Sequence, residues 1–181
     1  VPILDGSAVQ LCELIESAGV VEHGAPVSTF GVDREVRVDA GEDRFISISP
    51  YDGLRVTYEL VYPEPVGAQT YCFELTGAES FKREIAPART FGFVEEIRAL
   101  ESAGLGQGGQ LGNFILIGES GIVNTELRFP EELARHKILD CLGDFALAGC
   151  DLHGEFFADR SGHRLNRELI SRLREAASPS A

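Results

Sequence analysis

The sequence has 181 residues, of which 44% are hydrophobic and 25% are charged. This length and composition are typical of one well-buried domain, or of one domain plus part of another. The 16 Lys and Arg against 29 Asp and Glu give a formal net charge of -13. A charge of that sign repels phosphodiester backbones and anionic lipid surfaces, so we expect no nucleic-acid partner.

Targeting signals and cysteine usage narrow the class of protein further. No apolar run approaches the roughly 20 residues that a membrane-spanning helix needs, and the first residues lack the basic start of a signal peptide. We therefore expect no transmembrane segment and a cytoplasmic protein. The four cysteines have no C-x-x-C spacing, which favours neither a zinc knuckle nor a disulfide framework. The chain has no Met and opens on VPILDGSA, which predicts that an N-terminal portion is missing.

The first half of the chain begins with a helix and continues as strands. Asp5, Gly6 and Ser7 predict a turn and cap for a helix over residues 8–18, which Gly19 ends. Apolar and polar residues then alternate over residues 32–38, 45–49, 54–62 and 70–75. This alternation predicts an antiparallel meander of strands.

The second half returns to helical spacing. We expect helices over residues 78–85, 94–102, 130–148 and 164–175, and strands over residues 113–118 and 153–159. The short ARTFGF stretch at residues 88–93 is a further extended candidate. Five glycines fall within residues 104–112, but they match no phosphate-binding pattern, so we interpret this stretch as a flexible loop.

The segment RHKILDCLGD places His136, Asp140 and Asp144 at four-residue spacing within the longest predicted helix. Side chains four residues apart are offset by only about 40° and rise about 6 Å. These three side chains, called the polar file below, therefore project from one side of the helix. An imidazole and a carboxylate one turn apart can hold a divalent ion such as zinc. Spacing alone favours a modest surface ion pair. The SGH stretch ending at His163 favours a hydrolase, because a free imidazole can protonate a leaving group.

Four blocks occur in order along nearly the whole chain: VPILDGSA, ARTFGF, LRFPEELARHKILDCLGDFALAG and SGHRLNREL. Together they closely resemble UDP-3-O-acyl-N-acetylglucosamine deacetylase, the zinc amidase of lipid A biosynthesis in Gram-negative bacteria. The resemblance implies an α+β two-layer sandwich, with a mixed or antiparallel sheet packed against helices and a βαβ-like insert forming the acyl passage. It also implies that residues 1–24 are the closing helix of a first domain with its connection, and that residues 25–181 are the second domain.

The resemblance also implies roles for the residues of the reaction centre. His136 and Asp140 match two zinc ligands of the family. His163 matches a general acid or electrostatic stabiliser, toward which Asp144 is oriented. Thr90 is expected to help bind the carbonyl or oxyanion. The cofactor is then Zn²⁺, and the reaction releases acetate from the N-acetyl group.

The same blocks imply contacts with the remainder of the substrate, UDP-3-O-acyl-N-acetylglucosamine. Phe91 and Phe93 are expected near the acyl passage, and Lys137 near the diphosphate. Arg160 stands where the family commonly has a lysine before S-G-H, which keeps the charge but changes the contact geometry. Asp5 is expected near the substrate.

The sequence departs from the family pattern in one respect. The third zinc ligand and the general-base glutamate belong to an E-H-L-x-S block upstream of V-P-I-L-D-G-S, and this sequence contains no such block. Glu22 and His23 lack the Leu and Ser of that motif, and we interpret them as solvated loop residues. We therefore expect weak zinc binding and little catalysis until the missing first domain is supplied. We also expect an exposed apolar patch where that domain would pack.

Two other functions remain open from the sequence. One is a noncatalytic binding module for a nucleotide sugar or an acyl chain. The other is a different metal hydrolase that completes its site from Glu155, Asp159 or His153.

Overall fold

The computed structural model describes residues 2–41, 43–96 and 112–177. Within these ranges the helices are α1 (Val9–Ala18), α2 (Ala78–Glu84), α3 (Glu132–Ala146) and α4 (His163–Ala177). The strands are β1 (Thr29–Gly31), β2 (Val36–Asp39), β3 (Phe45–Ser49), β4 (Leu54–Val61), β5 (Ala68–Leu75), β6 (Phe91–Phe93), β7 (Ile115–Gly118), β8 (Gly121–Ile122) and β9 (Asp151–Asp159). Residues 94–96 are helical too, whereas most of the helix predicted to 102 and of the glycine-rich loop lies outside the described residues.

The main sheet has the strand order β2-β3-β9-β4-β5, and β1 pairs in parallel with the beginning of β9. β9 is antiparallel to β3 and parallel to β4, so the sheet is mixed. The predicted antiparallel meander is therefore wrong between β3 and β4, because β9 lies between them. Strand periodicity identified the strands, but it carries no information on which distant strand is the neighbour.

The central strand β9 alternates between the two faces of the sheet, as the pleat requires. Its Leu152, Phe156 and Ala158 are buried toward the helices. Gly154 lies on the same face, and a Cβ there would come within 2.5 Å of the Ile48 side chain. A glycine at this position therefore lets β3 and β9 pair without a clash.

One face of the sheet packs on α3 and α4, which gives a two-layer α+β fold. Phe145 of α3 stacks on Phe156 with ring centroids 4.0 Å apart. Around this pair the core is formed by aliphatic side chains from both layers, among them Val38, Ile46, Ile48, Val56, Leu60, Phe73, Leu133, Ile138, Leu165, Leu169 and Leu173. The predicted fold class is confirmed.

A second, smaller sheet has the order β6-β7-β8. β6 and β7 pair in parallel, with Phe91 opposite Ile115, and β7 and β8 pair antiparallel. Two parallel neighbours need a crossover connection. The residues of that connection lie mostly outside the described ranges, and the parallel pair is the arrangement that a βαβ-like insert requires.

The N-terminal segment is attached to the domain by polar contacts rather than by a buried apolar face. Asp5 accepts a hydrogen bond from Arg128 at 2.8 Å, and Lys82 pairs with Glu16 at 2.8 Å. By contrast, α1 has no buried residue, and its Leu14 and Ile15 are 58% and 64% exposed. The exposed large apolar residues of the N-terminal segment are Ile3, Leu4, Leu14, Ile15, Val20, Val21 and Val27.

A buried ion pair joins α3 to the segment that leads into β6. Arg89 donates from Nε to Oε1 of Glu132 at 2.9 Å and from Nη2 to Oε2 at 3.1 Å. The Glu132 side chain is fully buried, and its carboxylate also accepts the backbone N–H groups of Arg89 and Arg128. A buried charge is tolerated when it is paired and fully hydrogen-bonded, and this carboxylate meets that condition.

We expect Glu132→Gln to lower the free energy of unfolding by about 3 to 5 kcal/mol, because it leaves the buried Arg89 guanidinium without its counter-charge. Urea denaturation of the variant and the parent chain measures this difference. The double variant Arg89→Met with Glu132→Gln removes both charges, keeps an acceptor oxygen for the backbone N–H groups, and should recover part of the loss. A loss under about 1 kcal/mol for the single variant would contradict a tightly coupled buried pair.

The same carboxylate predicts a pH dependence. Burial alone would raise the pKa of Glu132, but hydrogen bonds from Arg89 and from the backbone N–H of Arg128 outweigh it and hold the pKa below its ordinary value. The ionised group thus contributes stability above the unfolded-state pKa of about 4.3, and this contribution is lost as the pH falls through the lower folded-state pKa. The stability difference between the parent chain and Glu132→Gln should therefore shrink as the pH is lowered from about 5 through the folded-state pKa. A difference constant over that range argues against the assignment.

Candidate metal and catalytic site

The helix α3 presents the His136, Asp140 and Asp144 file beside its buried apolar stripe. Leu133, Ile138, Cys141 and Phe145 turn toward the sheet, which leaves the polar file at the margin of the core. The side chains of the file are only 12%, 19% and 10% exposed, respectively. All three groups are thus partly shielded from water. Charge interactions in such a position are stronger than at an open surface.

The imidazole of His136 is oriented by the segment before β6. Its Nδ1 lies 3.4 Å from the carbonyl oxygen of Ala88, and its Nε2 lies 3.6 Å from Oδ1 of Asp140. A carbonyl oxygen can only accept, so this contact places the proton on Nδ1 and leaves Nε2 with its lone pair beside Asp140. Burial lowers the pKa of His136 below its ordinary value, although the Asp140 charge acts in the opposite direction. A neutral imidazole is the form that binds metals.

The two oxygens of Asp140 have different neighbours. Oδ1 lies beside His136, and Oδ2 accepts a hydrogen bond from Nζ of Lys137 at 2.7 Å. Lys137, which is expected to contact the diphosphate, thus forms an ion pair with Asp140. Lys137 is 18% exposed, so its ammonium is close to the surface.

One nitrogen and one carboxylate oxygen on adjacent helical turns fit the donor set that zinc accepts. The hydrogen bond from His136 Nδ1 to a backbone carbonyl is the outer contact that commonly fixes a metal-binding imidazole. Zinc sites with catalytic function use three protein ligands. In the described ranges, no group of three His, Cys, Asp or Glu side chains could hold a metal ion. The described residues therefore fit part of a zinc site.

A second pair lies one turn further along α3. Nδ1 of His163 lies 2.8 Å from Oδ2 of Asp144. His163 is the first residue of α4, and its side chain is 58% exposed. The carboxylate orients the imidazole, while the exposed ring edge remains accessible. Asp144 lies about 6 Å along the helix from Asp140, so the two pairs are adjacent.

Thr90 and the two phenylalanines after it border His136. The hydroxyl-bearing Thr90 is exposed, and its carbonyl accepts the N–H of Ile115 at 2.8 Å. The Phe91 ring meets the His136 ring edge to face at 6.2 Å. Tyr62 contacts Phe91 and Phe93, with centroid distances of 5.9 Å and 5.2 Å. These rings form one aromatic wall beside the histidine.

Asp5 and Arg160, two residues expected to bind substrate, form hydrogen bonds with other parts of the domain. Asp5 accepts from Ser7 and from Arg128, which ties the start of the chain to the segment before α3. Arg160 donates to Asp159 at 2.8 Å and to the carbonyl of Asp43 at 2.9 Å. Arg160 also adopts a left-handed φ of 47°, at the turn between β9 and α4.

The other candidates from the sequence lie elsewhere. Glu22 and His23 are exposed in an irregular segment, as expected for solvated loop residues. On β9, Glu155 pairs with Arg55, Asp159 pairs with Arg160, and His153 lies 3.9 Å from Asp52. These contacts give no support to a metal site built from the β9 residues.

Sequence reasoning missed several residues that organise this region. They are Arg89 and Glu132 at the start of α3, and Tyr58, Ser161 and Asn166 around Asp144. The sequence signal for these residues is weak. It consists of a glutamate and an asparagine, Glu132 and Asn166, at helix positions on the buried side.

Comparison with known proteins places the chain in a family. The chain is 41% identical over 175 residues to the UDP-3-O-acyl-N-acetylglucosamine deacetylase of Campylobacter fetus, covering 96% of this chain and 59% of that protein. It is 43% identical over 180 residues to the enzyme of the same name from Cellvibrio japonicus, covering 97% and 58%. The chain thus spans less than two thirds of the length of these relatives.

The family model described as UDP-3-O-acyl N-acetylglycosamine deacetylase matches residues 1–175. The chain belongs to this deacetylase family. Within the described ranges, no helix combines the length and apolar character needed to cross a membrane.

We expect the imidazole of His136 to titrate below the ordinary histidine value of about 6.5, because burial disfavours its charged form. An NMR titration of the imidazole C–H resonances in the metal-free chain measures this midpoint. Asp140→Asn should lower the midpoint further, because it removes the negative charge that favours protonation. A midpoint above about 6.5 in the parent chain would show that burial is not the dominant influence.

Proposed function

We propose that this chain supplies part of the active site of a zinc-dependent deacetylase that removes the N-acetyl group of UDP-3-O-acyl-N-acetylglucosamine in lipid A biosynthesis. The observation that carries the proposal is the geometry along α3. His136 and Asp140 are poised to share one cation, and the next turn bears Asp144 in contact with His163. The family of the chain supports the choice of substrate.

In this proposal His136 Nε2 and an oxygen of Asp140 are two of the zinc ligands. Zinc, when bound, supplies a Lewis acid that polarises an amide carbonyl and lowers the pKa of water toward about 7. The orientation of His136 by the Ala88 carbonyl keeps the donor nitrogen aimed at the cation site before any ligand arrives. Lys137 would exchange its bond with Asp140 for the substrate diphosphate.

The organic steps fall to the other residues of the site. The exposed Thr90 hydroxyl is available to donate to the oxygen that becomes negative as the carbonyl is attacked. His163, protonated on both ring nitrogens with Nδ1–H held by Asp144, would stabilise that charge and transfer its Nε2 proton to the departing amine, leaving the neutral Nδ1–H form. Acetate and the free glucosamine amine are the products.

The charge around the site supports separate positions for the two ends of the substrate. A cavity of about 270 Å³ beside His163 is lined by Arg44, Arg160 and Arg164, and these cations suit a diphosphate. A second cavity, of about 640 Å³, is lined by Tyr62, Phe93 and Ile117 with glutamates around them. Carboxylates repel a diphosphate, so this second cavity suits the uncharged acyl chain.

We further propose that a companion domain supplies the third zinc ligand and the general base. Two observations support it: the described residues offer only two adjacent zinc donors, and the apolar side chains of the N-terminal segment are exposed. Exposed apolar surface commonly marks an interaction site, and these large apolar side chains all fall within the first 27 residues. The greater length of the relatives is compatible with such a domain.

The test measures zinc stoichiometry and acetate release for the chain alone and after mixing with the first domain of a family member. We expect activity only on mixing. His136→Ala should reduce it by more than the roughly 10- to 100-fold that loss of an outer-shell partner costs. His153→Ala is the matched control, because His153 lies on β9 and is half-exposed, and it should keep the parental activity.

The other outcomes are equally informative. Stoichiometric zinc and turnover by the chain alone would contradict the need for a companion domain. Absence of activity in every mixture, with substrate still bound, would favour a noncatalytic nucleotide-sugar or acyl-binding module.

A further inference from the structure

Asn166 is an unusual residue for its position. It lies in the first turn of α4 and is only 1% exposed. Asparagine is a poor helix former, and a buried amide destabilises the fold unless its donors and acceptor are satisfied. Its presence here therefore requires specific hydrogen bonds.

The amide of Asn166 has partners on both sides. Nδ2 donates to Oδ2 of Asp144 at 2.9 Å, and it also lies 3.5 Å from Sγ of Cys141. Oδ1 accepts the hydroxyl of Ser161 at 2.7 Å. Because the Asp144 carboxylate can only accept, it requires the NH₂ group of Asn166, and the Ser161 hydroxyl, which can donate, satisfies the carbonyl end.

Ser161 is held in place by the sheet. The buried Tyr58 of β4 donates its hydroxyl to the carbonyl of Ser161 at 2.6 Å. This bond attaches the turn between β9 and α4 to the sheet, more than 100 residues away along the chain. The position of the Asn166 amide is thereby set by the core.

Asp144 connects Asn166 to His163. The same oxygen, Oδ2, accepts from Asn166 and faces Nδ1 of His163 at 2.8 Å. A carboxylate can only accept, so Nδ1 carries the proton and Nε2 is left toward solvent. The His163 side chain is mostly exposed, so packing alone does not fix its ring.

We propose that Asn166 is a positioning residue that fixes the Nδ1–H tautomer and the orientation of His163 through Asp144, with Ser161 holding the carbonyl end of the Asn166 amide. The catalytic consequence rests on the proposed function, in which Nε2 of His163 faces the reacting group.

The direct test is nitrogen-edited NMR of the imidazole in the 181-residue chain, at a pH high enough for neutral histidine. In the parent chain we expect His163 to be predominantly the Nδ1–H tautomer. Asn166→Leu keeps the shape of the side chain and removes the donor to Asp144. It frees the Asp144 carboxylate to turn away from Nδ1, and it should therefore shift His163 toward a mixture of both neutral tautomers.

Two further variants keep the test decisive. Ser161→Ala removes the hydroxyl that holds the carbonyl end of Asn166 and should shift the tautomer ratio in the same direction by a smaller amount. Ser80→Ala removes a comparable buried hydroxyl from α2, where Ser80 bonds to Thr76 and Gly77, and it should leave His163 unchanged. An unchanged tautomer ratio in both Asn166→Leu and Ser161→Ala, or a parent chain without the Nδ1–H form, would overturn the inference.

Activity distinguishes this inference from the proposed function. In the reconstituted enzyme, Asn166→Leu should lower kcat by roughly 10- to 100-fold with KM little changed, because the substrate contacts remain while the proton donor is misplaced. A tautomer shift without deacetylase activity in the parent mixture would support the positioning and overturn the proposed function. An unchanged kcat alongside a clear tautomer shift would overturn the catalytic consequence.

Discussion

The ion pair between Arg89 and Glu132 couples the two segments that form the candidate site. Glu132 starts α3, which carries the polar file, and Arg89 precedes Thr90 and β6. With the pair formed, the carbonyl of Ala88 reaches Nδ1 of His136. Burial of two opposite charges is unfavourable unless their geometry and remaining hydrogen bonds are satisfied. The pair therefore permits few alternative placements of the segment beside α3.

The far end of α3 is fixed by a different kind of contact. There the Asp144 carboxylate is held by the amide of Asn166, and that amide is held by Ser161. The polar file is thus anchored at both ends by buried polar groups, while the apolar stripe of α3 packs on the sheet. Directional contacts of this kind define the position of side chains more narrowly than apolar packing does. Such placement is what electrostatic stabilisation of a reaction requires.

Periodicity in the sequence predicted the elements better than their arrangement. The helix bearing His136 was expected over 130–148 and spans Glu132–Ala146, and the strand expected over 45–49 is β3. Both are visible in a local pattern, the helical period in one and the alternation of apolar and polar residues in the other. The neighbours of β4 were not predictable in this way, because Arg55 and Glu155, which face each other across β4 and β9, are 100 residues apart. Pairing over that distance depends on the whole core.

The sequence by itself determined the polar file on one side of α3, since the spacing of His136, Asp140 and Asp144 and the helical period leave no other placement. It also determined the family, through four blocks in order. Only the tertiary structure decided the partners of these groups: His136 with the Ala88 carbonyl, and Asp144 with His163 and Asn166. The physical reason is that a helix fixes the direction of its side chains through local hydrogen bonds. What those side chains meet depends on how the β6 segment and α4 pack against it.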